Sequence, residues 1–283
     1  MKKIKVAAPA KINLTLEVLN KRSDGFHNIK SIMQAIDLYD YLSFEILETN
    51  SSKNSIYLSG NSDKIPYNEK NLVYKAIEKF LLKSKISGVS INVYIEKNIP
   101  VEAGLAGGST DASATFFALN LLFDNKFSKN EIQELCASLG SDLNFCLTGG
   151  RAICTGRGEV ITPIETTPLK LSLIKPKNFG ISAKEAYTKF SCLPDELKVD
   201  FKYTEKMQKS FDEAFLYNSL QHAVFNDYVE FQEIKTKLPK SVMSGSGPTF
   251  FLLEEKIPCT FDNNRFLLIE ALNAISDGVK VVC

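Results

Sequence analysis

The chain has 283 residues, 44% hydrophobic and 24% charged, enough for a sizeable core in one large domain or two modest ones. Its 34 basic and 33 acidic residues leave a formal charge of +1, which gives no electrostatic case for nucleic acid or an acidic membrane as the main partner. No apolar run is long enough to span a bilayer. Two histidines and six cysteines without a C-x-x-C pair argue against zinc and for free thiols in a reducing, cytoplasmic compartment.

In chain order, Met1 to Val6 is basic but alternates, as a strand does and a signal peptide does not. Ile4 to Ala8 is a short strand. After Pro9, Lys11 to Leu19 alternates strictly, with Ile12, Leu14, Leu16 and Val18 on one face and Lys11, Asn13, Thr15 and Glu17 on the other. Lys11 and Asn13 then share a face, roughly 7 Å apart. They are either part of a solvent-facing polar row or, because Lys11 opens the strand beside Pro9, the border of a cleft. Asp24-Gly25 is a turn signal that holds Phe26 and His27 at an edge, placed to stack on or hydrogen-bond a planar ligand. The plainer alternatives are a core aromatic and a histidine serving local backbone. Further antiparallel strands surround Ile36–Leu38 and Leu42–Ile46. Asn50 to Glu69 is polar and reads as surface loops around a short strand, Ser55–Leu58. Val73, Ala76, Ile77, Phe80 and Leu81 recur at helical spacing, ending near Ser84.

The central stretch follows the alternating strand Val89, Ile91, Val93, Ile95. It runs from Asn98 through Pro100-Val-Glu-Ala-Gly104-Leu-Ala-Gly-Gly-Ser-Thr110 into an apolar helix, Ala112–Phe123, that is apolar nearly all round and so buried centrally. Strand, glycine-rich loop and helix start make an anion site, with free backbone N–H groups and partial positive charge. Gly104, Gly107 and Gly108 allow positive φ and a close approach of phosphate; Ser109 and Thr110 can cap the helix or donate hydroxyls. An ordinary capping loop competes with this assignment, but three glycines in five positions favour phosphate. The loop fits neither G-x-x-x-x-G-K-[ST] nor G-x-G-x-x-G.

Ser128 and Glu131 form a capping box for a helix with Ile132, Leu135, Cys136 and Leu139 inward, ended by Gly140. Asp142 follows in an apolar neighbourhood, as a local cap or as a functional carboxylate. Thr148 to Gly158 is turn-rich and marks a transition between halves. Beyond it come a strand, Leu169–Ile174, and a second capping box, Ser182 with Glu185, whose helix carries Tyr187. An irregular polar stretch, Pro194–Lys206, precedes a helix, Asn218–Phe225, with a structural His222. A second glycine loop, Met243-Ser-Gly-Ser-Gly-Pro-Thr249, leads into a strand, Thr249–Leu253. A helix, Arg265–Ile275, and a strand, Val279–Val282, close the chain. Strands and helices in both halves give an α+β class.

Three segments stand in the order of the motifs of GHMP kinases, and the chain resembles that family: Pro9-Ala-Lys-Ile-Asn-Leu14, Pro100 through Ala112, and Met243 through Thr249. Asp24-Gly-Phe-His27 and Gly140-Ser-Asp-Leu-Asn144 narrow the resemblance to a cytidine-dependent branch. It implies a two-domain α+β fold of mixed and antiparallel sheets packed by helices, with the active site in the cleft. Residues 1–157 would be the ATP-binding domain with the catalytic residues, and 158–283 the domain completing the substrate cleft. ATP and Mg2+ are the implied cofactors. The implied substrate is a cytidine diphosphate-linked methylerythritol, with no nucleic-acid or membrane partner, and the state a monomer or homodimer.

Residue by residue, the resemblance implies that Pro100, Val101, Glu102, Ala103, Gly104, Leu105, Ala106, Gly107, Gly108, Ser109 and Thr110 form the ATP loop. Asp142 would be the general base, with Lys11 beside it. Asn13, Phe26, His27 and Tyr187 would bind substrate, the two aromatics on opposite faces of the cytosine. Gly245, Ser246 and Gly247 would line the cleft from the second domain. Such roles suit the chemistry: phosphoryl transfer needs positioning, a carboxylate to take the alcohol proton, and a cation that keeps it ionised. The sequence offers no metal ligands, and one adenine wall is expected in 50–68. The loop departs from the family pattern at Glu102, Ala103 and Ala106, with Glu102 expected to point away from phosphate. Phe26 stands where the family often has Tyr, keeping stacking but not a phenolic hydrogen bond. The alternatives are a homoserine- or mevalonate-type GHMP kinase, or a non-catalytic binding module of the same fold.

Overall fold

The structure, a computed structural model, describes residues 1–194, 198 and 202–282. A long hairpin organises it: β1 (Lys2–Lys21) pairs antiparallel with β2 (His27–Glu48) across the turn at Asp24-Gly25. Pro9 does not break the first strand as its sequence suggested. The ladder absorbs it as a register shift between Pro9 and Ala10, where the missing N–H is tolerated. β3 (Ser55–Gly60) runs parallel to β4 (Val89–Glu96), which pairs with β2. β5 (Arg151–Thr155) also pairs with β2, and β6 (Val160–Ile164) with β5.

Three helices cover one face of this sheet. α1 (Leu72–Ser84) is capped by Asn71, whose side chain accepts from Val73 N. α2 (Gly107–Leu122) is the central one, with Ala112, Ala114, Phe116, Ala118 and Leu119 fully buried, as its all-round apolar sequence requires. α3 (Lys129–Leu139) opens with the Ser128–Glu131 capping box, both reciprocal bonds made. A short α4 (Leu143–Thr148) follows.

A second sheet has the order β11-β7-β10-β9, from β7 (Lys170–Pro176), β9 (Val242–Met243), β10 (Phe250–Leu252) and β11 (Phe266–Asn273). Against it lie α5 (Ala183–Ser191), α7 (Ser219–Val224) and α8 (Val229–Lys237), whereas α6 (Tyr203–Lys209) packs over β1 and β2. Two short strands, β8 (Tyr217–Asn218) and β12 (Lys280–Val281), return to β1 in the first sheet. The architecture is therefore α+β with two sheets.

Several expectations change. Arg265–Ile275 is not a helix: it is the strand β11. Its apolar residues mimic a helical period because a bulge between Ile269 and Leu272, with Ala271 at φ 57, breaks the alternation. Part of Pro194–Lys206 lies outside the described residues, but from Tyr203 it is helical. Ser182 caps α5 through Glu185 N, while the Glu185 carboxylate binds Lys189 rather than closing the box. The polar row of β1 does not face solvent. Lys11, Asn13, Thr15 and Glu17 are all buried, because α6, β8 and the second glycine loop pack over them. Thr15 Oγ1 meets Thr204 Oγ1 at 2.8 Å, and Glu17 accepts from Tyr203 N at 2.7 Å.

Candidate active site

A cavity of about 1010 Å³ lies where the two sheets meet, bordered by the first glycine loop, the turn after β1 and the start of α5. The loop from Pro100 climbs to α2 with Glu102 at φ 49, Gly104 at φ 73 and Ala106 at φ 60. Ala106, not Ser109 or Thr110, holds the N-cap position, so the helix starts five residues earlier than its apolar run indicated. Gly107 and Gly108 are helical. The positive-φ positions are instead Glu102, Gly104 and Ala106. At Gly104 a Cβ would collide with the carbonyl oxygen of Ser244, so the loop is seated directly on the second glycine loop. Ser244 Oγ donates to Gly104 O at 3.0 Å, and Lys11 N donates to Leu105 O at 3.2 Å.

Pro100, Val101, Glu102, Ala103, Gly104, Ala106, Gly107, Gly108 and Ser109 border the cavity. Leu105 and Thr110 do not: both side chains are buried behind the loop. The Glu102 side chain lies beside Gly180 at the exposed rim. Gly245 and Ser246 border the cavity, whereas Gly247 packs behind them against Met243.

Lys11 and Asn13 come together on β1 as their spacing required. Lys11 Nζ donates to Asn13 Oδ1 at 2.6 Å and stands 3.4 Å from Asp142 Oδ2. The Asn13 amide donates to Ser31 Oγ at 2.9 Å, and its oxygen also accepts from Gly245 N at 3.0 Å. Asn13 is thereby locked between the sheets. Asp142 occupies the N-cap position of α4 but makes no side-chain cap bond; its carboxylate turns to Lys11 and the cavity instead. The local-cap alternative fails on that geometry.

At the other wall, His27 stacks on Tyr187, ring centroids 5.5 Å apart, with Ser191 Oγ 3.3 Å from Nε2. Burial, with Lys21 and Lys198 adding, lowers the His27 pKa and favours a neutral ring. Phe26 is half exposed and carries the Arg157 guanidinium 4.9 Å from its ring centre. The cavity thus has an aromatic wall with His27 inside it. Ile65, Pro66, Lys70, Asn71 and Leu72 line the end beside Gly108, so only the last part of the 50–68 stretch reaches the cavity.

The sequence did not single out a third cluster. Lys97 Nζ lies 2.9 Å from Asp111 Oδ2 and closer still to Asp40 Oδ2, all three side chains nearly inaccessible. Asp40 Oδ1 accepts from Asn98 N at 2.6 Å and Ile99 N at 2.8 Å. Burial pushes Asp111 up to about 8; Lys97 opposes the shift and Asp40 adds to it. Burial works against the Lys97 charge, yet Asp111 and Asp40 outweigh it and raise its pKa. Asp111 stood within the second motif and Lys97 just before it, but Asp40 lies more than fifty residues upstream, and only the β2–β4 pairing joins them.

Comparison with known proteins decides the family. Residues 71–150 match the model of the GHMP kinases N terminal domain. A 4-diphosphocytidyl-2-C-methyl-D-erythritol kinase of Clostridium botulinum is 38% identical, across 91% of this chain and 94% of its own. The chain belongs to the GHMP kinase family. A second kinase of the same description, from Clostridium acetobutylicum, is 37% identical across 92% of this chain and 91% of its own. The crystal structure of a 4-(cytidine 5'-diphospho)-2C-methyl-D-erythritol kinase aligns with a TM-score of 0.74 at 25% identity, covering 96% of this chain and 99% of that one. A homoserine kinase from Cytophaga hutchinsonii aligns at 0.77 with 18% identity, covering 100% and 98%, and attests the GHMP fold alone. Among the described residues, no helix is long and apolar enough to cross a membrane.

Proposed function

We propose that this chain is an ATP-dependent kinase that phosphorylates the 2-hydroxyl of 4-diphosphocytidyl-2-C-methyl-D-erythritol, a step of non-mevalonate isoprenoid synthesis in the cytoplasm. The observation that carries the proposal is the Lys11–Asp142 pair, facing one cavity between a glycine-rich anion loop and an aromatic wall. The relatives named for this activity supply the substrate.

Each group has a task. The amides at the start of α2, with the partial positive charge of that helix end, bind the triphosphate of ATP. Phe26, His27 and Tyr187 hold the cytosine, and neutral His27 offers it a donor or an acceptor. The substrate hydroxyl lies against Asp142. As its oxygen attacks the γ-phosphorus, Asp142 takes the proton and ADP leaves with the electrons of the broken P–O bond. Lys11, 3.4 Å from that carboxylate, steadies charge developing on the attacking oxygen. Asn13 fixes Lys11. In this assignment residues 1–157 supply the ATP loop and the catalytic pair, and residues 158–283 complete the substrate cleft.

Magnesium carried by the phosphates of ATP would supply charge neutralisation there. The side chains are not a preformed cage for it. Among the described residues no three His, Cys, Asp or Glu side chains converge, and Asp142 and Asp111, both on the cavity, each face a lysine.

A coupled ADP-release assay with the cytidine diphosphate substrate tests the proposal, with homoserine and mevalonate as controls. Turnover is expected with the cytidine compound alone. Equal turnover with a control, or none above an Asp142→Asn background, would overturn it.

A further inference from the structure

The anion loop carries no cation of its own. From Asn98 to Asp111 there is no lysine or arginine, although a triphosphate brings several negative charges to it. Lys11 stands at the acceptor end of the cavity beside Asp142, and Lys70 on the exposed rim. Lys21, Arg157 and Lys184 border the cavity from other segments, whereas Lys97, the residue after β4, borders it with its ammonium beside Gly107 of the loop.

Its ammonium is fixed in place. Asp40 is fully buried on β2, pinned by the amides of Asn98 and Ile99, and takes one N–H of Lys97. Asp111 on α2 takes a second at 2.9 Å. An ammonium has three N–H donors, and among the described residues the third has no acceptor. A buried cationic donor left without a partner is costly, so a site built this way awaits one. The direction it faces is given by Gly107: a Cβ there would sit 3.0 Å from Nζ, which puts the ammonium against the first residue of α2, at the cavity wall.

We infer that Lys97 is a phosphate-binding residue of the ATP site, its ammonium held by Asp40 and Asp111 so that the third N–H meets a phosphate oxygen beside Gly107. The inference rests on ATP being the phosphoryl donor. It makes Lys97 the counterpart, from a strand end, of the lysine that other phosphate loops carry within themselves.

Calorimetric titration of ATP and of adenosine into the wild type and a Lys97→Met/Asp111→Asn double variant tests it. In the double variant Asp111 carries no charge to strand, and Asp40 keeps its two backbone donors, from Asn98 N and Ile99 N. ATP affinity should fall at least about tenfold, the scale of one charge-assisted hydrogen bond, with adenosine affinity kept within about twofold. Equal losses for ATP and adenosine would make Lys97 a clamp of the loop and overturn the inference, as would unchanged ATP binding. A wild type that binds no ATP would remove the kinase proposal itself, and the inference with it. A crystal of the wild type with a non-hydrolysable ATP analogue gives a second measure that needs no variant. Nζ is expected within about 3.2 Å of a phosphate oxygen, and a separation too long for any hydrogen bond would overturn the inference.

Discussion

At one end of the cavity Lys11 stands 3.4 Å from Asp142, whose side chain keeps 28% of its surface exposed. At the other, Lys97 is clamped between Asp40 and Asp111, with no side chain of the three above 5%. The two lysines are equally buried, and it is their carboxylate partners that meet opposite surroundings. A carboxylate that must reach a ligand's hydroxyl has to keep an open side and a loose partner. A cation that must stand still does better in a dry site, where Coulomb attraction is weakly screened and each bond has one geometry. On the proposed function, the comparison separates a pair placed for proton transfer from a trio placed for position.

The largest test of that contrast is Asp142→Asn. It should lower kcat by about 10²–10⁴ while leaving ATP affinity near that of the wild type; turnover within tenfold of normal would remove Asp142 as the base. Next comes stability. Urea unfolding of Lys97→Met should show a loss of about 3–5 kcal/mol, because buried Asp40 loses its cation and buried Asp111 its hydrogen-bond donor. Lys11→Met should cost clearly less, since Asp142 is partly solvated. Equal losses would erase the distinction between the sites. Smaller still, Phe26→Ala or Tyr187→Ala should raise KM for the cytidine substrate by the worth of one base–aromatic contact, about 1–3 kcal/mol, with KM for ATP unmoved. A matching rise for ATP would mean that the aromatic wall serves both ligands.

The last test is a slope with pH. Asp111 is pushed up to about 8 in the fold, against about 3.9 when unfolded. The folded chain therefore holds this proton more tightly. The stability it contributes is full below about pH 4 and is lost as pH rises through about 8. Thermal melts across that window should show the wild type losing ground to Asp111→Asn; parallel curves would mean that Asp111 titrates normally.

What the sequence disclosed, and what it hid, follows from the range of each interaction. The capping box at Ser128, the strand face shared by Lys11 and Asn13, and the loop before α2 are written within a few neighbouring residues, and local reading found them. The helix assigned to Arg265–Ile275 failed because one bulged residue, Ala271, shifts a period of two toward the helical one. Asp142 had the look of a cap, and only the packing of α4 against β1 turned it to Lys11. The trio around Lys97 joins β2, the end of β4 and α2. No local pattern announces such a contact, because its members share nothing until the sheet has formed.

Gly104 touches the main chain of Ser244 with no room for a side chain between them. On the proposed function, the seat of the phosphoryl donor and the turn that borders the acceptor are therefore one joint. Refitting this scaffold to a new alcohol by transplanting the second glycine turn from a relative would disturb the nucleotide side too, unless the graft preserves that contact atom for atom. The aromatic wall takes no part in the Gly104–Ser244 contact, so acceptor preference is freer to change there.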